Sequence, residues 1–529
     1  MKKTLFGVLL GCAALAIARS IPSAYDEFKA VARAAGLSDA DILDLGGQLG
    51  ATKDDNKNLL ASLTCRTAHR ALGTDVVDTA PVSQEVAFEN WSATCHATPR
   101  CIIRPKTTQH VSTAMKIISG LKSSFATRSG GHSPNPRASS INDTGVLLDL
   151  QRLSAVSVSP DKRFATVGAG ARWGHVYAVL DEAQTIVIGA RLPQVGVGGS
   201  ILGGGYFHIS GLYGLASDNV KNFEAVLADG SIVNANAHSN SDLFWALKGG
   251  GPNFGILTQL ELYTVPTYLV WGQISVHSTD QASEIIEAFD EWQRNGASDA
   301  KSTVALSIGL DAITVGLTYA DPVSEPPEAF QPFYNIEPLQ VAVPPTNLTF
   351  NLVNQIVGAG DPTDPSRHDY RGISTKIDTE LTKKMYAFWR DRALAIREAT
   401  GASQGFSIQH VGPNLVEEGR RKGGNPLNIP LGKQQWWTTL VNWDNAADDD
   451  LVRSVSIDTT NQWQKLAKAR GTFIPFLFMN DASRDQDPLA FYGAANLARL
   501  RNIANKFDRN QVFQRQQNGG FLLSQAAGG

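Results

Sequence analysis

The chain has 529 residues, 43% of them hydrophobic and 18% charged, which excludes a disordered protein and exceeds one ordinary domain. Its formal net charge is −3 and no long basic or acidic block occurs, so neither nucleic acid nor an anionic membrane surface is an expected partner. At the N-terminus Lys2 and Lys3 precede an apolar run from Leu5 to Leu15, and Ala16-Ile17-Ala18 offers a small-residue cleavage site. Residues 1–18 therefore read as a secretory signal peptide, because the run is shorter than the ~20 residues a membrane span needs. Residues 19–94 read as a helical lead-in on the outside of the protein. Helices are expected over Ser23–Ala35 and Asp39–Leu45, the second capped by Ser38.

Cysteine usage agrees with secretion. Cys12 leaves with the leader, and Cys65, Cys95 and Cys101 remain. In an oxidising compartment one disulfide is expected, between Cys65 and either Cys95 or Cys101, with one thiol left over. A zinc site would need a suitably spaced His, which is lacking, so no metal is expected. Asn90-Trp91-Ser92, Asn142-Asp143-Thr144 and Asn347-Leu348-Thr349 are glycosylation sequons of a secreted chain.

From about residue 95 the texture changes. Cys101-Ile102-Ile103 is strand-like, Val111–Leu121 helical, and Val146–Leu150 a buried strand. Ala155–Val158 and Ala165–Gly168 suggest a hairpin, followed by a helix over Trp173–Ala183. The dinucleotide fingerprint fails at Gly168-Ala169-Gly170-Ala171-Arg172-Trp173, where Trp stands in place of the third Gly. No Walker loop, His-Glu-x-x-His motif or Gly-x-Ser-x-Gly elbow is present, which excludes the common NTPase and hydrolase readings. Past Pro266 the pattern becomes that of an antiparallel sheet backed by helices. Strands are expected at Leu269–Val276, Thr303–Ile308, Ile313–Thr318 and Gln435–Val441. Helices are expected at Ala282–Arg294, Glu380–Thr400 and Leu451–Arg470. Proline-rich Asp321–Pro345 reads as a surface loop. The end returns to a strand, Phe473–Met479, and a helix, Leu489–Phe507.

Three stretches carry chemistry. In Arg128-Ser129-Gly130-Gly131-His132-Ser133-Pro134 a His follows two glycines, which permit positive φ and close backbone approach to a ligand. Val195-Gly196-Val197-Gly198-Gly199-Ser200-Ile201-Leu202-Gly203-Gly204-Gly205 holds so many glycines that a turn alone does not explain it. A backbone wrapped around a pyrophosphate does. The third is Asp242-Leu243-Phe244-Trp245-Ala246-Leu247-Lys248-Gly249-Gly250-Gly251. With Tyr213–Val220 and Val226–Gly230, these blocks resemble the PCMH-type FAD-binding domain of the berberine-bridge-enzyme-like flavoproteins, a branch of the vanillyl-alcohol-oxidase superfamily with fungal secondary-metabolism members. The resemblance is strong over 95–268 and mainly architectural over 269–470.

The resemblance implies an α+β fold. It would comprise a two-part FAD-binding domain over 95–268, an antiparallel-sheet substrate domain over 269–472, and a segment over 473–529 that returns to the FAD domain. It implies FAD bonded covalently through His132, with Arg128, Ser129, Gly130, Gly131, Ser133, Val195, Gly196, Gly198, Gly199, Ser200, Gly203, Gly204, Asp218, Asn219 and Asn480 as further cofactor contacts. Many relatives carry a second link through a Cys where this chain has Leu192, so a single link and a milder oxidant are expected. The family's Tyr-x-Asn-Tyr reads Phe478-Met479-Asn480-Asp481 here, which removes a catalytic tyrosine and leaves Asn480 near the flavin. The carboxylate of some relatives maps to Trp437 and Thr438, with Gln435 nearby, and none of these is a base. The base must come from Tyr206, His208, Tyr492 or the substrate. His208 is preferred because a near-neutral pKa suits base work.

The implied function is hydride removal from a small molecule, a secondary metabolite, with molecular oxygen as acceptor in a secreted or vesicular monomeric enzyme. An oligosaccharide oxidase is the alternative within the class, and a flavin-containing non-redox cyclase the alternative outside it.

Overall fold

In the computed structural model, which describes residues 24–47, 57–360 and 366–527, three β-sheets organise the chain. The leader expected over 1–18 lies outside the described residues. The first sheet runs in the order Val77–Thr79, Cys101–Ile103, Gly145–Asp149, Ser124–Arg128. Gly145–Asp149 pairs in parallel on both sides and is buried at all five positions, which is why it reads as an unbroken apolar run. The lead-in does not sit on the outside as expected. Phe28, Ala32 and Leu63 share one core with Val111, Ile117 and Val146, and Val77–Thr79 extends the sheet. A purely local reading misses this, because amphipathic helices bury their apolar stripe against whatever sheet the later chain supplies. Ser38 does cap its helix, its Oγ accepting from Asp41 N at 3.2 Å. Cys65 is bonded to Cys101, and the Cys95 thiol is buried.

The second sheet is antiparallel, in the order Val156–Val158, Phe164–Gly168, Ile256–Val265, Val220–Val226, Ile232–Asn236. Short strand Ile186–Val187 pairs with the far end of Ile256–Val265. Trp173, which displaces the third glycine of a dinucleotide fingerprint, is wholly buried and donates through Nε1 to Ser200 Oγ at 2.9 Å.

The third sheet is also antiparallel. Its order is Gln340–Thr349, Leu269–Ser278, Ala312–Tyr319, Ser302–Ile308, Phe406–Val411, Gln434–Trp443, Arg367–Thr375, with Ser403–Gln404 beside Gln434–Trp443. One face meets helices Ala282–Arg294, Thr379–Thr400 and Asp449–Ala469. Val304, Leu306 and Ile308 pack there with Trp389 and Trp463. The alternate residues Thr303, Ala305 and Ser307 line a large cavity on the other face, as the two-residue strand period dictates. The surface loop expected over 321–345 is corrected in its second half, where Gln340–Thr349 forms an edge strand. Pro344 and Pro345 are tolerated because an edge strand need not donate on its open side and the register shifts across them, between Val343↔Ile274 and Thr346↔Gly272. Nor does 473–479 form a strand. It makes one bridge, Phe473 to Thr375, and then runs irregularly into a 3-10 turn, Met479–Asp481, with Phe476 and Phe478 packed on Trp436. Short apolar runs do not tell a strand from a buried irregular segment. The C-terminal tail returns to the first sheet, where Phe125 N donates to Gln516 O and Asn518 N to Phe125 O.

Candidate functional site

The cavity, about 1320 Å³ in volume, is bounded by the glycine-rich stretches on one side and the open face of the third sheet on the other. Where the two glycine stretches cross, no side chain fits. A Cβ on Gly130 would lie 2.5 Å from Gly196 Cα, and one on Gly196 would lie 2.2 Å from Gly130 N. Gly131 adds a φ of +68°, which turns the chain so that His132 enters the cavity wall. The second glycine run is not an open loop. Val197–Leu202 forms a short helix, with Gly199 facing open space where its side chain would be. Asn480 covers its end, donating through Nδ2 to Ser200 O at 2.9 Å. A Cβ on Gly203 would collide with Asn480 Oδ1.

His132 is 9% exposed and stacks on Trp91 at 4.2 Å, while Trp91 stacks on His368 at 3.7 Å from its other face. Tyr370 Oη lies 3.3 Å from His132 Nδ1, and Trp91 N donates to Gly131 O. Trp91, His368 and Tyr370 come from chain segments far from the motif, and no local pattern in the sequence marks them.

Ser129, Gly130, Gly131, His132, Ser133, Val195, Gly196, Gly198, Gly199, Ser200, Gly203 and Asn480 all line the cavity, together with Tyr206 and His208. Leu192 lines it too, an unreactive side chain. Four expected contacts lie elsewhere. Arg128 points into the protein, where its guanidinium bonds Asp149 and the carbonyls of Val86 and Ala87. Asp218 accepts from Leu215 N and Asn425 Nδ2, and Asn219 ties Tyr213, Leu215 and Lys422 together. Gly204 meets Phe478, Leu215 and Leu427. These motif residues shape the cradle from behind. Tyr492 is likewise buried away from the cavity, donating to Gly249 O at 2.6 Å.

The opposite wall is polar at one corner. Tyr206 Oη donates to His410 O at 2.7 Å, and the Arg191 guanidinium sits 5.1 Å over its ring. Arg191 Nη2 donates to Gln409 Oε1 at 2.6 Å, and Gln409 Nε2 donates to Asp481 Oδ2 at 2.7 Å. Burial raises the Asp481 carboxyl above its ordinary range, with the Arg191 charge and the Gln409 bond opposing. His208 departs from expectation. Burial, with the Arg191 charge, pushes its pKa down to about 3, so it is a neutral and weak base rather than one poised near neutrality. Thr438 lines the cavity, whereas Trp437 belongs to the helix-side core and Gln435 bonds Thr375 and Thr382. Asp481 is the acidic group that a reading of Phe478–Asp481 as a depleted motif overlooks. Its position, where the resemblance implies tyrosine, was the available signal.

Of the three sequon asparagines, Asn90 is enclosed. It is 4% exposed, its Nδ2 donates to Ser139 Oγ and its Oδ1 accepts from Arg128, so no glycan fits there. Among the described residues no group of His, Cys, Asp or Glu is arranged to hold a metal, and no helix is long and apolar enough to cross a membrane.

Residues 99–236 match the family described as an FAD binding domain. A FAD-dependent monooxygenase of Arthrobotrys oligospora is 36% identical over 471 residues, covering 88% of this chain and 91% of that one. Xylooligosaccharide oxidase from Myceliophthora thermophila C1, solved in complex with xylobiose, has a TM-score of 0.71 at 22% identity. The match covers 86% of this chain and 98% of that one. Glucooligosaccharide oxidase from Acremonium strictum, whose FAD is 6-S-cysteinyl and 8α-N1-histidyl, gives 0.70 at 19% identity over 84% and 97%. The fold is that of the PCMH-type FAD oxidases. An FAD suits the cavity on structural grounds. The glycines leave its wall bare, and its volume exceeds the ~300–1000 Å³ common for single small ligands. Lining residues Thr127, Asn135, His208, Thr438 and Arg484 also hold buried polar atoms with no partner among the described residues, a state that a polar ligand relieves.

Proposed function

The chain belongs to the FAD-dependent oxidoreductases that share this FAD binding domain, and on that basis we propose that it removes a hydride from a small organic molecule, with molecular oxygen as the final acceptor. The observation that carries this reading is one cavity lined both by the His132 glycine cradle and by the polar corner of Tyr206, Gln409 and Asp481. FAD, when bound, supplies the two-electron acceptor. Gly130, Gly131, Ser133, Gly196, Gly198 and Gly199 would hold it by close backbone approach, and His132 would carry its single covalent link. Stacking against Trp91 and contact with Tyr370 fix the imidazole for that bond.

The protein's other contribution is orientation and dryness. Ile274, Val276, Ile356 and Val357 give the far wall an apolar surface for a bulky substrate body, which suits a secondary metabolite better than a sugar chain. The polar groups at one corner then fix which end reacts. We place the enzyme in the secretory pathway, a reading supported by the Cys65–Cys101 disulfide and the exposed sequons at Asn142 and Asn347.

Anaerobic mixing of the purified holoenzyme with candidate metabolites tests the function. Loss of flavin colour, followed by peroxide on admitting air, is the expected result. Turnover of a metabolite with no bleaching contradicts it and leaves the non-redox alternative standing.

A further inference from the structure

The geometry points to Asp481 as the proton acceptor of this site and to an uncharged alcohol as the substrate class it serves. The inference rests on the oxidoreductase reading above and specifies which C–H bond that chemistry selects.

The carboxylate lines the cavity on the residue next to Asn480, which itself closes the end of the glycine helix. Asp481 therefore stands beside the cradle, at the corner where the sheet face meets it. Only Oδ2 is engaged by the protein, through Gln409, and no described residue bonds Oδ1. The chain Arg191–Gln409–Asp481 fixes the carboxylate's rotation with two hydrogen bonds of 2.6 and 2.7 Å. Gln409 is 4% exposed, so this support is anchored inside the sheet and not in solvent. This half-buried carboxylate is held by a neutral amide, with an arginine one bond further away, so no contact ion pair blocks it.

The neighbours decide among bases. Tyr206 Oη donates to His410 O, and burial raises its pKa against the opposing Arg191 charge, with the Asp481 charge adding a smaller rise, so it stays a phenol. His208 is held neutral by burial and by Arg191, and is too weak a base for the task. Arg191 is the remaining charged group that acts on Asp481, Tyr206 and His208 alike. Its cation at this corner disfavours an alkylammonium substrate. A neutral hydroxyl meets no such repulsion, and its proton must leave if oxidation is to yield a carbonyl.

The step balances as follows. The substrate O–H bond breaks and its proton bonds to Asp481 Oδ1. The electron pair left on oxygen would form the second C–O bond as hydride leaves the same carbon, and FAD, when bound, would supply the two-electron acceptor for it. The product is an aldehyde or ketone, and Asp481 later returns its proton to water.

The test uses the full holoenzyme and a panel of benzylic, allylic and terpenoid alcohols, each paired with its methyl ether, which keeps the C–H bond but lacks the proton. Anaerobic bleaching by alcohols and not by their ethers is expected. D481N should slow it by roughly 10²–10⁴ and abolish the acid limb of its pH profile. Bleaching of D481N at the wild-type rate, or bleaching by ethers as fast as by alcohols, overturns the assignment. A wild type that no panel member bleaches counts against the oxidoreductase reading. The proton-acceptor assignment is then judged by infrared titration of the holoenzyme. A carboxylic acid band that titrates above the ordinary aspartate range in the wild type and is missing in D481N supports it, and no such band in the wild type refutes it. Should D481N not accumulate folded, Q409L removes the donor to the carboxylate and must move the band's midpoint to higher pH. An unmoved midpoint refutes the relay.

Discussion

Arg128 Nη2 lies 2.6 Å from Asp149 Oδ2, and both side chains are sealed from solvent. The two residues face each other in parallel register at the ends of adjacent strands, one residue before the turn that carries Gly130 and His132. Arg128 also holds Val86 O, Ala87 O and Asn90 Oδ1, so it fastens the lead-in beneath that turn. R128M leaves the Asp149 carboxylate buried and unpaired. A loss of about 3–5 kcal/mol in denaturant titration is expected, together with reduced flavin content. D149N should cost less, because its amide oxygen still accepts from the guanidinium. Equal midpoints for R128M and the wild type would contradict a structural role.

His208 makes the folded protein acid-sensitive. Its folded pKa, about 3, lies below the ordinary value near 6.5, so its contribution to stability is complete above pH ~6.5 and is lost as pH falls toward 3. The slope is on the order of 1 kcal/mol per pH unit within that window. H208Q cannot take up the proton and should flatten the fall in denaturation midpoint. The same variant should leave the pH dependence of flavin reduction above pH ~5 unchanged, since the imidazole does not titrate there.

The glycine blocks made the cradle legible because close backbone crossings demand glycine wherever they occur. Gly130 against Gly196 shows the demand directly. The antiparallel third sheet was legible from the alternation of Val304, Leu306 and Ile308 with Thr303, Ala305 and Ser307. What the sequence did not display were contacts between distant segments. Trp91 against His132, Tyr370 against His132, and the use of Arg128 as an internal clamp depend on tertiary placement. Asp481 was visible but read as the remnant of a lost motif, because its meaning depends on Gln409 and Arg191 lying beside it. The edge strand through Pro344 and Pro345 was hidden by residues that argue against a strand unless the edge is known.

The cysteines offer a count. Cys95 is buried and its thiol is pushed up to about 11, so it should not react with a thiol reagent in the native protein. Unfolding without reductant should expose one reactive thiol in a chain that has lost its leader, and two in a chain that keeps Cys12. Breaking the Cys65–Cys101 bond by C65S should cost about 2–4 kcal/mol of stability. In a chain that has lost its leader, a native thiol titre of one would contradict the buried placement of Cys95.

Glycosylation, if the chain is secreted as proposed, is restricted by exposure. Asn142 and Asn347 are exposed, and Asn90 is enclosed by Arg128 and Ser139. The double variant N142Q/N347Q should show no mass loss on glycosidase treatment, while each single variant keeps part of it. A glycan remaining on Asn90 would contradict the packing around Arg128.

The most direct test of the flavin site is a peptide map of the acid-precipitated protein. The segment containing His132 is predicted to carry the mass of one FAD and the yellow colour, with Leu192 peptides unmodified. H132A should release all flavin to the supernatant. A wild-type map in which the His132 peptide is unmodified and the flavin resides on another residue would contradict the account.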